Sequence, residues 1–269
     1  MTLCMAAICK DGNKGPLAVV AADRMVTLGN FIEFEHTVPK MALFSPYSIA
    51  MIAGDTLMGT RLAQGVANEF VGSAPATTEV ASRLAQRFVE MRRGQLENQI
   101  LRLRGLDLQM YYGGHQSLNG QITMMLDSQM AQFNLGIELL VAGVDGDGAH
   151  IFSIENPGQP ERQHDVIGYG AIGSGGIHAL QAMIGFRRSP TTPLRETVFQ
   201  VYASKRRAEV APGVGIDTDM AIISADGIKF LDETTLEKLK EMYLHHGQAT
   251  EAALNKELEN LNLDESETE

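Results

Sequence analysis

Thr2 stands behind a single residue, Met1. A second residue as small as threonine normally lets the initiator methionine be trimmed, which leaves a threonine with both a hydroxyl and a free α-amine. Together they form a self-contained nucleophile and base, because an amine of pKa about 8 takes up the hydroxyl proton near neutral pH. That chemistry needs three kinds of help: a buried cation to lower the hydroxyl pKa, a carboxylate to hold the cation, and a backbone N–H to receive an oxyanion. Asp23 closes an apolar run in Ala21-Ala22-Asp23-Arg24, where a carboxylate is costly to bury unless it is paired. Lys40 heads the run 40–44 and can aim its ammonium inward. Gly54, in Ile52-Ala53-Gly54-Asp55, suits a backbone donor because it lets another backbone come close. Each has a plainer reading: Asp23-Arg24 as a buried ion pair, Lys40 as a strand end reaching solvent, and Gly173–Gly176 as a tight turn.

The elements that must position these groups follow from periodicity and turn chemistry. Apolar runs at 3–9 and 17–22 flank a Gly/Asp/Asn/Pro-rich turn at 10–16 and predict a hairpin. Strands are expected at 41–44 and 48–52, separated by Ser45-Pro46. Apolar residues at 57, 58, 62, 63, 66, 67 and 70 have the 3.6-residue period of a helix. A second helix follows Pro75, capped by Thr77 or Thr78, and runs through Val80, Leu84, Phe88 and Met91. Residues 92–133 are polar, Met/Gln-rich and helix-prone, a helical insertion or extension. Strands are expected at 138–144, 150–154 and 165–172, helices at 177–184 and 194–208, a hairpin at 219–231, and a last helix over 234–261. The acidic end, 262–269, is expected to be disordered. Strand and helix blocks do not alternate singly, which argues for packed antiparallel sheets with helical layers in an α+β fold, one domain over 1–261. The alternative is a three-layer fold with 92–133 as a separate lobe.

Composition excludes several functions. The chain has 269 residues, 44% hydrophobic and 20% charged, the balance of an ordinary globular protein. Its net charge of −11 disfavours nucleic acid and anionic membrane as partners. No apolar run approaches the ~20 residues that span a bilayer, and a basic region followed by a long apolar stretch is missing from the start, so a cytoplasmic location is expected. Cys4 and Cys9 are too few for a disulfide framework or zinc site and fall on opposite faces of one strand. The seven histidines show no ligand spacing, so no metal is expected. Asp145-Gly146-Asp147-Gly148 lacks the closing Glu of a calcium loop and reads as a hairpin turn. Gly173-Ser174-Gly175-Gly176 lacks the Lys-Ser/Thr of a phosphate loop and the spacing of a dinucleotide fingerprint, so no cofactor is expected.

Taken in order, the segments Thr2-Leu3-Cys4, Lys10-Asp11-Gly12, Val19-Val20-Ala21-Ala22-Asp23-Arg24 with Thr27 and Gly29, Val38-Pro39-Lys40-Met41 and Ile52-Ala53-Gly54 resemble the proteasome β-type family of N-terminal nucleophile hydrolases. Val141-Ala142-Gly143-Val144-Asp145, Ala171-Ile172-Gly173-Ser174-Gly175 and Gly215-Ile216-Asp217 extend the resemblance over roughly 2–232. The resemblance implies a four-layer αββα sandwich of two antiparallel sheets, with Thr2 as nucleophile once Met1 is removed. Its α-amine and Lys40 would share the proton work, Asp23 would anchor Lys40, Gly54 N–H would bind the oxyanion and Ser174 would support the amine. Glu209 falls where the family has a supporting Asp and Pro212 where it has a Ser, two departures that weaken the expected support network. Asn13–Leu17 and 92–133 are longer than in typical members. The implied activity is a threonine-type peptidase or amidohydrolase acting on peptides or unfolded proteins inside stacked homo-oligomeric rings. Two other classes stand beside it, an N-terminal-Thr transpeptidase or ligase and a non-catalytic ring or scaffold subunit.

Overall fold

The computed structural model describes residues 2–12, 15–28, 32–36, 39–159 and 161–259. Met1, Gly29, Val38, part of the 13–17 loop and the acidic tail 262–269 lie outside them, at least in part. Internal contacts divide the chain into two compact units, Met1–Phe230 and Leu231–Glu269.

In the first unit the apolar runs become two five-stranded sheets. Cys4–Lys10 (β1) and Pro16–Asp23 (β2) form the expected hairpin, paired from Cys4 opposite Ala22 to Lys10 opposite Pro16. Met25–Leu28 (β3) and Ile32–Glu35 (β4) form a small separate hairpin, which the sequence reading misses because its runs are only four residues long. Met41–Ser45 (β5) and Ser48–Gly54 (β6) form another hairpin, followed by helices Thr56–Glu69 (α1) and Thr77–Leu96 (α2). Leu108–Gly114 (α3) and Gly120–Gln132 (α4) come next, then strands Ile137–Asp145 (β7), Gly148–Ile154 (β8), Arg162–Gln163 (β9) and Tyr169–Ile172 (β10). Gly176–Gly185 (α5), Leu194–Ala208 (α6), Thr218–Ser224 (β11) and Gly227–Phe230 (β12) complete the unit. The first sheet has the order β10-β1-β2-β11-β12 and the second β5-β6-β7-β8-β9, with every strand pair antiparallel.

Alternation along the strands decides which face meets what. Cys4, Ala6, Ile8, Ala18, Val20 and Ala22 of the first sheet share one buried cluster with Ile49, Met51, Ala53, Leu140 and Ala142 of the second. The intervening residues Ala50, Ile52, Leu139 and Val141 pack instead with Leu62 and Val66 of α1 and Leu84 and Phe88 of α2. On the first sheet, α6 contacts β1 and β2 while α5 contacts β10. Strands covered on both faces have no polar alternation, which is why β1 and β2 read as unbroken apolar runs.

Two local expectations change. Ala76, not Thr77 or Thr78, is the N-cap of α2 and gives no side-chain hydrogen bond; the Asp145 carboxylate accepts the Thr77 N–H at 2.9 Å instead. Residues 165–168 form a turn, and the strand begins only at Tyr169. The 92–133 stretch is helical, with α2 passing through a π-helical turn at Glu97–Leu101 and a 3₁₀ turn at Arg102–Arg104, and it builds its own core from Leu96, Leu101, Tyr111, Leu126 and Met130. The second unit carries Glu233–Leu258 (α7), whose first turn is capped by the Asp232 carboxylate accepting Thr235 N–H at 2.7 Å. Among the described residues no helix is long and apolar enough to cross a membrane.

Candidate functional site

Thr2 runs into β1, and its position is set by the neighbouring strand. Asp23 N–H donates to Leu3 O at 3.1 Å, and Leu3 N–H donates back to Asp23 Oδ1 at 2.7 Å. This exchange brings the end of β2 against the start of the chain. Thr2 is 2% exposed, Asp23 0% and Lys40 5%. The Lys40 ammonium donates to Thr2 Oγ and to Asp23 Oδ1, the latter at 2.9 Å, and the Thr2 hydroxyl donates to the same Asp23 oxygen. The backbone of Lys40 is fixed as well, since its carbonyl accepts Ile52 N–H of β6 at 3.1 Å.

A buried carboxylate is tolerated when its lone pairs are filled. Asp23 Oδ1 accepts from Thr2 Oγ, Leu3 N and Lys40 Nζ, while Oδ2 accepts from Met25 N at 2.9 Å and Gly215 N at 3.0 Å. Arg24 is not its partner: the Arg24 guanidinium pairs with Asp219 on β11 at 2.5 Å. Arg24 stands one residue past the end of β2, and the dipeptide splits into two separate ion pairs. Lys40 likewise stays inside instead of reaching solvent.

The Gly-rich turn after β10 closes over Thr2 from the other side. Thr2 N–H donates to Ser174 Oγ at 3.2 Å, and Gly175 N–H donates to Thr2 O at 3.2 Å. Ser174 Oγ in turn reaches Pro212 O at 3.3 Å, so a backbone carbonyl stands at the position where the resemblance calls for a serine hydroxyl. Gly173 has φ +87°, and a Cβ on it would run into Thr2 O; only glycine fits this turn.

The other two expected site residues are not bonded to Thr2. Gly54 ends β6 with φ +89°, exposed and opposite Ile137, with no room for a Cβ beside the Gly136 carbonyl. Glu209, at the end of α6, pairs with Lys205 at 2.6 Å and Arg206 at 3.1 Å. Lys205 is fully buried and gives its remaining donors to Gly215 O at 2.7 Å and Ile216 O at 2.6 Å. Burial lowers the Lys205 pKa despite the Glu209 charge beside it. Glu209 thus reaches the site only in steps, through Lys205 and the 215–216 backbone whose Gly215 N–H holds Asp23.

Sequence reasoning missed Glu138 and Lys205. Glu138 on β7 accepts Gly173 N–H at 2.7 Å. A lone charge inside the apolar run Ile137–Asp145 was the available signal. The Cys4 thiol lies in the same field: burial raises its pKa strongly, Lys40 opposes this, and Asp23 and Glu138 add to it. Burial also pushes the Cys9 thiol up, to about 11. Both cysteines are free and buried. Among the described residues no group of three or more His, Cys, Asp or Glu could hold a metal ion.

No protein-family model matches the chain, and no curated protein matches it.

Proposed function

We propose that this protein is an amide-cleaving N-terminal nucleophile hydrolase in which Thr2, freed of Met1, attacks the substrate carbonyl. The observation that carries this reading is the buried bridge Lys40–Thr2–Asp23, in which one ammonium touches both the hydroxyl oxygen and the carboxylate. A cation against Thr2 Oγ favours its alkoxide. Asp23, whose two oxygens are both filled by donors, holds the cation in place. The Thr2 nitrogen, once a primary amine beside Ser174 Oγ, is then the base. It takes the hydroxyl proton as the oxygen–carbon bond forms, and returns it to the leaving amine as the scissile C–N bond breaks. The resulting Thr2 ester is cleaved by water, with the amine again accepting a proton. Gly54 N–H is the proposed oxyanion donor.

The sheets and helices described above support reading the first unit as the four-layer αββα sandwich of this enzyme class. The proposal extends to a peptide or unfolded-protein substrate, a homo-oligomeric ring assembly and a reducing, cytoplasmic setting, which suits two free buried thiols.

The test uses intact mass and covalent labelling. The mature chain should be lighter than the full sequence by one methionine, and a peptide epoxyketone should add at residue 2, because its ring-closed adduct needs hydroxyl and amine together. Thr2→Ala should abolish labelling and peptide-amide turnover with the fold unchanged. Thr2→Ser should retain part of both. Adding an amine acceptor separates hydrolysis from transpeptidation by the product formed. Full activity with Met1 still attached would refute the mechanism and favour a scaffold role or an unrelated site.

A further inference from the structure

We infer that Glu138 is a positioning residue for the Thr2 site, holding from the second sheet the Gly173–Gly175 turn that fixes the Thr2 backbone and its nitrogen. The inference rests on the proposed function and adds to it a residue with no part in the expected set.

Glu138 lies on β7, opposite Ala53 and one position along from the Gly54–Ile137 pair. Thr2 and the Gly173–Gly175 turn belong to the first sheet, at the ends of β1 and β10. The Glu138 Oε2 to Gly173 N–H bond at 2.7 Å is therefore a direct link between the two sheets at the Thr2 end. Among the described residues Gly173 N–H is the only hydrogen-bond donor to this carboxylate.

The turn it holds has little freedom left. Gly173 is in the left-handed region and packs against the Thr2 carbonyl, Ser174 accepts Thr2 N–H, and Gly175 donates to Thr2 O. Ser174 Oγ has one proton, which it directs to Pro212 O at 3.3 Å or Thr2 O at 3.4 Å. Either choice leaves its lone pair facing the Thr2 nitrogen. Without Glu138, the Gly173 N–H loses its acceptor and the turn loses its hydrogen bond to the second sheet. Fold alone does not explain a carboxylate here, because the interior of β7 is otherwise apolar and a half-buried charge is costly to keep without a use.

Positioning of the amine and reactivity of the hydroxyl can be read separately with two reagents. A peptide β-lactone acylates the hydroxyl. A peptide epoxyketone must also be closed by attack of the amine on the epoxide. In Glu138→Ala the epoxyketone rate at Thr2 should fall on the order of 10-fold or more, and the β-lactone rate several-fold less than that. For peptide amides kcat should fall while KM holds. Glu138→Gln keeps an acceptor for Gly173 N–H and should label within about 3-fold of the unchanged protein. If Glu138→Ala does not fold, Glu138→Leu fills the volume without an acceptor and should show the same split. Equal rates with both reagents in these variants and the unchanged protein would overturn the inference while leaving the proposed function intact. A Gln variant as slow as the Ala variant would also overturn it, placing the effect in the charge. No labelling of Thr2 in the unchanged protein by either reagent would refute the proposed function and this inference with it.

Discussion

In the proposed mechanism Lys40 is the residue on which the chemistry turns, because one buried ammonium contacts both the Thr2 hydroxyl and Asp23. Arginine keeps the charge but presents a rigid planar fork in place of a compact group with rotatable donors. Lys40→Arg should therefore lower kcat/KM on a peptide amide by roughly 100-fold or more while the melting temperature changes little. Lys40→Ala should approach the loss expected for Thr2→Ala, since groups acting as one unit are not additive. Gly54 makes a different demand. With φ +89° and the Gly136 carbonyl against the missing Cβ, Gly54→Ala should destabilise the fold by about 1–3 kcal/mol, read from the urea midpoint. It should lower activity as well, if its N–H receives the oxyanion.

At the scale of elements, the junction of β7, β8 and α2 hangs on a histidine between two carboxylates. His150 Nδ1 meets Asp165 at 2.6 Å and Nε2 meets Asp145 at 3.1 Å, while Asp145 also holds the Thr77 N–H at the start of α2. Burial alone would lower the His150 pKa, but the Asp165 bond and the two charges outweigh it and raise the value above 6.5. A group whose folded pKa is raised contributes stability that is fully present below the unfolded pKa, about 6.5, and is lost as pH rises through the folded value. The melting-temperature gap between the wild type and His150→Gln should thus be wider at pH 5.5 than at pH 8.5. A gap independent of pH would show that the imidazole contributes by packing alone. At the end of α6, Lys205→Met would leave the Glu209 carboxylate and two carbonyls without their ammonium. The expected loss is about 3–5 kcal/mol, measured by denaturant unfolding.

Across the whole molecule, the helical stretch 92–133 is built around its own cluster, so its packing can be weakened without touching Thr2. Leu126 is fully buried in that cluster, and Leu126→Ala should cost about 2–5 kcal/mol of stability, with turnover per folded chain unchanged. A fall in turnover with Leu126→Ala still folded would show coupling between the two cores. On the same helix Met124 is 75% exposed and Met130 is buried, so the methionine-rich face divides between surface and core. If the ring assembly holds, Met124→Asp should dissociate it in native mass spectrometry, provided this face lies at the subunit contact.

The sequence by itself determined most of the run of strands and helices, because burial on one or both faces writes itself into period 2, period 3.6 or an unbroken apolar run; the four-residue strands β3 and β4 are too short to carry that signal. It also marked Thr2, by its place behind Met1, and Asp23 and Lys40, each a charge beside an apolar run that sits badly there unless it has a partner. Ser174 was legible through the segment around it. Only the tertiary structure decided who those partners are. Asp23 pairs with Lys40 and not with its neighbour Arg24, which finds Asp219 of β11 instead. Pro212 contributes its carbonyl, a group every residue has and no side-chain pattern reveals. Glu138 and Lys205 act on backbone N–H and C=O groups of residues far along the chain. A backbone group carries no sequence signature, so only folding, which brings β7 against the Gly173 turn and α6 against the 215–216 loop, defines what these two charges hold.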